Sequence, residues 1–438
     1  MKTPVTAVFD IGKTNKKLLL FDEQYRVVFE HTENLPETVD QDGFPCEDLE
    51  RLQDFMFKSL EQVLGNPNWE IRTLNFSSYG ASLVYLDENG QSLTPLYNYL
   101  KPYPEKLSEQ FYSVYGGREA FAAKTASPVL GSLNSGMQLY RIKYERPELL
   151  EKIKTVLHLP QYLSYLITGK LYSDITSIGC HTNLWDFEKN EYHEWLVKEN
   201  LQDKLAPLVP SNSIFKAEFK GHQFDAGIGL HDSSAALIPY LLSFKEPFIL
   251  ISTGTWCISL NPFNSSQLTS DELNSDCLCY LQYNAKPVKA SRLFAGHYHE
   301  QQLKRITEYY GTSASKYQET AFDESYLSML NEEQRFSETD LNTCSSDREA
   351  YHRLMMDIIN QQKQSTELII RGSAIKRIFV DGGFSKNPVY MNLLSHVFPE
   401  MEVFAASMAQ ATALGSALVI SSLPVPNDLI ELKFYSAK

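Results

Sequence analysis

The pattern of apolar and polar positions predicts a chain in which strands and helices alternate. An apolar run of β-forming residues stops at Asp10 and a second run begins at Leu18, which predicts a strand–turn–strand unit over residues 5–21. Residues 247–260 repeat this shape, with Gly254 flanked by hydroxyl side chains. One such unit in each half of the chain indicates an internally duplicated fold with a ligand between the halves.

Further elements follow from the spacing of apolar residues, and residues 97–170 are mostly helical in pattern. Helices are predicted at residues 48–64, 148–156, 185–201, 296–310, 351–359 and 410–420. Strands are predicted at residues 25–29, 71–76 and 83–86, within 277–293, and at 378–381. These elements predict the α/β class.

The pattern is weakest at residues 211–221, and there we place the boundary between two domains, 1–221 and 222–438. Residues 311–345 are polar and poorly periodic, which predicts a surface excursion. The final predicted helix contains Gly415 in its interior, where glycine costs roughly 1 kcal/mol relative to alanine. We therefore expect close packing at that position.

Composition argues against several classes of protein. The 438 residues are 43% hydrophobic and 21% charged, as in globular proteins, and the net charge of -14 argues against a general nucleic-acid binder. Six cysteines lie too far apart for a disulfide framework, and Cys277 and Cys279 are too close together for a usual zinc site. Asp10 and Lys13 interrupt any signal peptide, and no apolar run reaches the ~20 residues of a membrane span. We expect a cytoplasmic protein.

The turn of the first hairpin carries candidate chemistry. Gly12 lets a ligand approach the backbone, and the turn amides with Thr14, Asn15 and Lys16 could cradle an anion such as phosphate. Asp10, at the end of its strand, could hold Mg²⁺ directly or through water. A polar hairpin tip without a ligand would explain the same residues.

Two further stretches have both a functional and a structural interpretation. The turn around Gly80 joins two strands and is rich in hydroxyl groups, so it could line a polyol pocket or be an ordinary β-turn. His231 and Asp232 follow a glycine-rich segment and lie at the predicted start of an alanine-rich helix. There Asp232 could belong to a site or simply complement the helix dipole.

The third informative stretch is a buried strand that ends in Asp381, Gly382 and Gly383. Two glycines after a strand let a flat ligand approach the backbone. Asn387 then predicts the cap of a following helix, with Pro388 as its first residue.

The order of these motifs resembles the carbohydrate kinases of the FGGY family. The resemblance covers nearly the whole chain and is strongest at residues 10–17, 157–174, 229–236, 252–256 and 381–387. It implies two actin-like (ribonuclease H-like) domains around a central cleft. It also implies ATP and Mg²⁺ as cofactors, a small-molecule sugar as substrate and a monomer or homodimer, with no nucleic-acid or membrane partner.

The resemblance also implies roles for individual residues. Asp232 aligns with the catalytic base, and Asp10 would hold the metal. The residues implied to bind the nucleotide or its phosphates are Gly12, Lys13, Thr14, Asn15, Lys16, Gly254, Thr255, Gln301, Gly382, Gly383 and Asn387. The residues implied to bind the sugar are Gly80, His231 and Ser233.

Within the family, His231, Asp232 and residues 123–139 look most like the rhamnulokinases, which phosphorylate the 1-hydroxyl of a 6-deoxy-ketohexose. The chain is shorter than usual for the family. It has Ser82 where rhamnulokinases carry an acidic residue, and Leu293 where they carry a sugar-binding asparagine. L-Rhamnulose is the first expectation, and L-fuculose, L-xylulose, D-xylulose and D-ribulose stay open.

Two other classes of protein are alternatives, and the first of them, the heat-shock ATPases, shares the actin-like fold. Heat-shock ATPases carry a peptide-binding module after the ATPase, and we expect no room for one after the helix that contains Gly415. A sugar- and nucleotide-binding regulator without catalytic activity is the remaining alternative.

Overall fold

The computed structural model describes residues 2–330, 334–408 and 410–437. In chain order its strands are β1 Thr3–Ile11, β2 Lys16–Phe21, β3 Val27–Glu33, β4 Thr38–Val39, β5 Pro45–Cys46, β6 Trp69–Ser78, β7 Leu83–Leu86, β8 Thr155–His158, β9 Ser173–Asp174, β10 Trp185–Asp186, β11 Glu191–Tyr192, β12 Leu208–Val209, β13 Ile214–Phe219, β14 His222–Gly227, β15 Leu230–His231, β16 Phe248–Thr253, β17 Cys257–Asn261, β18 Cys277–Leu281, β19 Pro287–Leu293, β20 Arg377–Gly382, β21 Glu402–Ser407 and β22 Glu431–Tyr435.

The helices are α1 Leu49–Leu64, α2 Glu105–Val114, α3 Arg118–Thr125, α4 Ser135–Glu145, α5 Pro147–Lys152, α6 Leu159–Thr168, α7 Ile175–Ile178, α8 Trp195–Lys198, α9 Asp232–Ser243, α10 Ser270–Asn274, α11 Ala295–Tyr310, α12 Ser315–Gln318, α13 Asp347–Ile370, α14 Pro388–Val397 and α15 Ala411–Val419. None of the helices in the described ranges has the length and apolarity that crossing a membrane requires.

The two large sheets repeat one arrangement, which confirms the predicted duplication. In the first sheet β1 pairs antiparallel with β2 and parallel with β6, and β2 continues antiparallel to β3. In the second sheet β16 pairs antiparallel with β17 and parallel with β20, and β17 continues antiparallel to β19. Each half therefore places a hairpin turn beside the end of a parallel strand, and the fold is α/β as expected.

Helices α9 and α15 connect the halves. Ala235 and Ile238 of α9 pack with α15 and with Val8 of β1, whereas Leu237 and Tyr240 pack with the second sheet. The side-chain amide of Asn75 in β6 donates to the Ser416 carbonyl of α15 at 2.7 Å. The second half of the chain thus contributes a helix to the core of the first.

Gly415 explains how closely these helices approach. A Cβ atom at this position would lie 1.8 Å from the carbonyl oxygen of Ala235. Real Cβ atoms do not come that near to a backbone oxygen, so glycine is required by the contact between α15 and α9. The close packing expected from the sequence is confirmed.

Several local predictions were wrong in detail. Residues 185–201 were predicted as one helix, but Trp185–Asp186 and Glu191–Tyr192 form a hairpin and only Trp195–Lys198 is helical. The Asp186 carboxylate accepts the backbone N–H groups of residues 188 and 189, which fixes a turn instead of a helix.

The predicted helix 148–156 ends at Lys152, and Thr155–His158 instead pairs with Leu83–Leu86 as a strand. The third strand of the first sheet is Val27–Glu33, displaced from the predicted 25–29 because Tyr25 has φ 58° in a turn.

The domain division at residue 221 stays a prediction. Gly221 lies in the turn between β13 and β14, and the first sheet continues beyond it to β14 and β15. Residues 311–330 and 334–345 form short helices and irregular backbone, and Tyr317 and Phe336 join the core of the second half. Residues 331–333 of this predicted excursion lie outside the described residues.

Gly415→Ala should destabilise the protein by about 1–3 kcal/mol, because the added methyl group overpacks the contact with α9. Helix propensity alone would change stability by roughly 1 kcal/mol in the opposite direction. Urea unfolding measures the difference, and Thr412→Ala on the same helix is the control. A Gly415→Ala protein as stable as the wild type would contradict this account of the packing.

Candidate active site

Asp10 lies at the end of β1, beside β2 and β6. Its carboxylate accepts a hydrogen bond of 2.9 Å from the Ser77 hydroxyl, and Lys17 stands opposite it on β2. The pKa of Asp10 is raised to about 6, mainly by burial and also by the nearby Asp232 carboxylate, while the Ser77 hydrogen bond and Lys17 oppose the shift. The structure thus brings Asp10 and Asp232 into one electrostatic environment.

The turn after β1 spans residues 12–15 and is closed by a backbone hydrogen bond of 2.9 Å from Gly12 N–H to Asn15 O. Thr14 and Asn15 are exposed at its tip. Lys16 points elsewhere: it is buried, and its ammonium donates to the carbonyl oxygens of Gly12 and Lys13 at 2.9 and 3.0 Å. Lys16 therefore stabilises the turn by bonding to two of its backbone carbonyls.

Glu47 stabilises this turn through ion pairs with its two lysines. Its carboxylate lies 3.0 Å from the Lys16 ammonium and 3.3 Å from that of Lys13, and it accepts the Tyr79 hydroxyl at 2.5 Å. Lys13 also pairs with Glu37 at 3.0 Å. The phosphate contacts implied for Lys13 and Lys16 stay predictions, and they would require these ion pairs to rearrange.

Asp232 opens α9, as the sequence predicted, and its side chain is 36% exposed. One carboxylate oxygen, Oδ1, accepts the Ser233 backbone N–H at 2.5 Å and lies 3.2 Å from His231 Nε2. Burial of the carboxyl group raises the pKa of Asp232 to about 6. A carboxylate with this pKa accepts a proton more readily near neutral pH than an ordinary aspartate does.

His231 is buried next to the turn that contains Gly80. A Cβ atom at Gly80 would lie 3.1 Å from His231 Nε2 and 3.0 Å from Cys180 Sγ. Burial lowers the pKa of His231 to about 3, so the ring is neutral. The structure therefore brings together Gly80, His231, Asp232 and Ser233, the residues implied to bind or activate the sugar.

A cavity of about 550 Å³ lies in the second half of the molecule. Gly254 and Thr255 line it at the second hairpin turn, Gly383 and Asn387 line it from the segment after β20, and Tyr317 adds an aromatic wall. The structure thus gathers four residues that the sequence implied for nucleotide binding around one volume.

The two glycines at the end of β20, Gly382 and Gly383, differ in their surroundings. Gly382 has φ 89°, and a Cβ atom there would lie 1.9 Å from the Thr253 carbonyl oxygen, so glycine is required by the backbone. At Gly383 a Cβ atom would meet no atom within 4 Å. Gly383 leaves open space beside the cavity, as expected for a ligand that approaches the backbone.

Two implied nucleotide-binding residues have other partners in the structure. Asn387 caps α14 by accepting the Tyr390 backbone N–H at 3.0 Å, and its amide donates to the Tyr351 hydroxyl at 2.6 Å. Gln301 is exposed on α11 and lies 2.7 Å from His297. Their contacts with a nucleotide stay predictions.

Sequence reasoning missed several site residues. Ser77, Lys17 and Glu47 organise the surroundings of Asp10, and Cys180 lies beside His231. The hydroxyl groups at the end of β6 were the available signal for Ser77. Glu47 offered none, because its role depends on contacts with residues more than thirty positions away.

The chain belongs to the FGGY family of carbohydrate kinases. The N-terminal domain of that family matches residues 5–238, and its C-terminal domain matches residues 245–427.

Individual relatives are distant. The chain is 24% identical over 235 residues to a rhamnulokinase of Oceanobacillus iheyensis, a match that covers 50% of this chain and 47% of the relative. The match thus spans about half the length of that relative.

Solved structures support the fold over the whole chain. A carbohydrate kinase from Novosphingobium aromaticivorans superposes with a TM-score of 0.82 at 22% identity, covering 100% of this chain and 95% of the other. A ligand-bound xylulose kinase from Lactobacillus acidophilus superposes with a TM-score of 0.81 at 15% identity, covering 99% and 94%. The predicted actin-like (ribonuclease H-like) two-domain fold is confirmed.

Asp232→Asn should stabilise the protein at pH 8. The native carboxyl group keeps its proton up to about pH 6, whereas the unfolded one releases it near its ordinary pKa of 3.8. The native state therefore binds more protons between these values, and the wild type loses stability as the pH rises through them.

Thermal unfolding at pH 8 and pH 4 measures this effect, and the advantage of the variant should shrink at the lower pH. Asp54→Asn, at an exposed helix position, is the control. An equal advantage at both pH values would contradict the raised pKa.

Proposed function

We propose that this protein is an ATP-dependent kinase that phosphorylates a hydroxyl group of a ketose, with Asp232 as the general base. The observation that carries the proposal is the placement of a mostly buried carboxylate with a pKa of about 6 beside His231 and Gly80. A carboxylate in that position accepts the hydroxyl proton as the oxygen attacks phosphorus.

The cavity of about 550 Å³ is proposed to hold the adenosine of ATP. Its volume lies within the range of small-molecule sites. Tyr317, Tyr351 and Phe384 provide aromatic surface, and the open side of Gly383 leaves room for a flat ring system. Gly254 and Thr255 belong to the same cavity, so the phosphates are proposed to extend from it toward the hairpin turn.

Asp10 is proposed to bind Mg²⁺ directly or through water. Among the described residues no group of three or more His, Cys, Asp or Glu side chains could hold a metal. The site nevertheless fits a hard cation that keeps several waters, because Asp10 and Asp232 form a region of concentrated negative charge. When bound, the ion would neutralise phosphate charge.

For the substrate we propose L-rhamnulose first, phosphorylated on its 1-hydroxyl. The support is the similarity of His231, Asp232 and residues 123–139 to rhamnulokinases, together with the rhamnulokinase relative. Ser82 and Leu293 depart from that pattern, so L-fuculose, L-xylulose, D-xylulose and D-ribulose belong in the same test. A cytoplasmic monomer or homodimer stays our expectation.

Asp232→Asn should retain ATP binding and lose ketose phosphorylation by roughly 10²–10⁴-fold in kcat. Asparagine supports the helix start about as well as aspartate, but it is a very poor base. A coupled assay of ADP release over the five ketoses, with Mg²⁺ or with chelator, measures turnover, and Asp54→Asn is the control.

Wild-type turnover by Asp232→Asn with the best ketose would exclude it as the base. An absence of turnover in the wild type with every ketose, despite ATP and sugar binding, would favour the non-catalytic regulator.

Gly383→Val should weaken ATP binding without unfolding the protein, because its side chain would enter the open space beside the cavity. A misfit of about 1–3 kcal/mol corresponds to roughly 5- to 150-fold in Kd. Calorimetric titration measures Kd, and Gly383→Ala should give a smaller effect. Unchanged ATP affinity in Gly383→Val would place the adenosine elsewhere.

A further inference from the structure

We propose that Ser234 fixes the neutral ring of His231 in the tautomer with its hydrogen on Nδ1, so that the ring cannot donate a hydrogen bond to Asp232. Cys180 completes the arrangement by donating its thiol hydrogen to Nε2. Both are positioning residues that act through His231, and their effect on catalysis rests on the proposed role of Asp232 as the base.

The hydroxyl of Ser234 is committed to one acceptor. It donates to the Leu281 carbonyl oxygen at 3.0 Å. Leu281 is buried at the end of β18, an edge strand, and its carbonyl faces away from β19, on the side where the Cys279 N–H donates to the Ala126 carbonyl outside the sheet. A buried carbonyl without a partner costs about 1–3 kcal/mol, so this bond holds the hydroxyl hydrogen in place.

That commitment determines the tautomer of His231. Ser234 Oγ lies 3.3 Å from His231 Nδ1. A hydroxyl has only one hydrogen to donate, so Ser234 Oγ meets the ring as an acceptor. With its hydrogen on Nδ1 the ring donates to Ser234 Oγ and leaves Nε2 as an acceptor for the Cys180 thiol, so both neighbours are satisfied, whereas a hydrogen on Nε2 would leave two lone pairs facing each other at Nδ1.

Nε2 is left with a lone pair. The ring is neutral because burial lowers the pKa of His231 to about 3. Cys180 Sγ lies 3.0 Å from Nε2, and burial raises the pKa of the Cys180 thiol well above its ordinary value, so the thiol keeps its hydrogen. The thiol is thus available as a weak donor to Nε2.

The tautomer of His231 affects Asp232, because Oδ1 of Asp232 lies 3.2 Å from the same Nε2. A ring with hydrogen on Nε2 would donate a charge-assisted bond to the carboxylate and would make it a weaker base. The tautomer fixed by Ser234 withholds this bond and turns the Nε2 lone pair toward Oδ1, which favours the protonated form of the carboxyl group. The only donors recorded to Asp232 among the described residues come from Ser233.

Other groups face the same carboxylate. Asp10 lies on β1, Tyr99 in the loop before α2, Cys180 after α7 and Tyr280 on β18, and burial is the main cause of the raised pKa of each, to which the Asp232 charge adds. Among the described residues none of the four donates a recorded hydrogen bond to Asp232, so none takes the place of the withheld bond.

Nitrogen NMR of the protein labelled with ¹⁵N-histidine tests the tautomer directly, without sugar or ATP. His231→Gln identifies the signals of this ring among the ten histidines. The wild type should show a pyrrole-type Nδ1 and a pyridine-type Nε2. A pyrrole-type Nε2 in the wild type would overturn the proposal.

Variants test the cause. Ser234→Ala should move hydrogen to Nε2, because a charge-assisted bond to Asp232 is stronger than the bond from a thiol. The titration midpoint of Asp232, followed by its ¹³C carboxyl signal, should then fall by about one to two pH units. Ser234→Thr should restore the wild-type tautomer, and Ser243→Ala, on the same helix, is the control.

Cys180→Ala should leave the tautomer unchanged, because Ser234 still accepts the Nδ1 hydrogen, and Cys279→Ala controls for the loss of a buried thiol. Ser234→Ala with wild-type tautomer and wild-type Asp232 midpoint would overturn the proposal. Failure of the protein to phosphorylate any ketose would instead contradict the proposed function and leave the tautomer result standing.

Discussion

The approach of α9 to α15 is the contact on which the rest of the structure depends. Gly415 permits it, because any side chain there would collide with the Ala235 carbonyl. Since α9 packs toward both sheets and α15 packs on the first, this one contact fixes how the halves meet. Asp232 opens α9, so the same packing decides where its carboxylate lies relative to Asp10 on β1.

The duplicated architecture gives two similar turns with different chemistry. The first turn follows Asp10 and is supported from behind by Glu47 through Lys13 and Lys16. The second follows Thr253, whose hydroxyl donates to the Asp381 carbonyl and accepts the Phe384 backbone N–H. The first turn is therefore supported by charged side chains, and the second by a hydroxyl group and backbone.

The sequence predicted most features that local pattern controls. Both hairpins, the start of α9 at Asp232 and the Asn387 cap follow from neighbouring residues, and the structure has them. The directions of side chains were harder to predict, because they depend on residues distant in sequence. Lys16 contacts Glu47, thirty-one residues away, and Cys180 contacts His231, fifty-one residues away. The helix predicted at residues 185–201 was wrong for a local reason. The Asp186 carboxylate accepts backbone N–H groups and forms a turn, although the apolar spacing favoured a helix.

Asp10 and Asp232 are the same type of residue, but the side chains next to them differ, and this difference suits them to different proposed roles. Burial raises the pKa of each to about 6. Asp10 has Lys17 opposite it and a hydroxyl donor in Ser77, which favour its charged form and suit a residue proposed to bind a cation. Asp232 faces the neutral ring of His231, and among the described residues no cation that lowers its pKa stands beside it. The two carboxyl groups have similar pKa values, so the two proposed roles rest on their different neighbours: a cation and a hydroxyl donor beside Asp10, and a neutral imidazole beside Asp232.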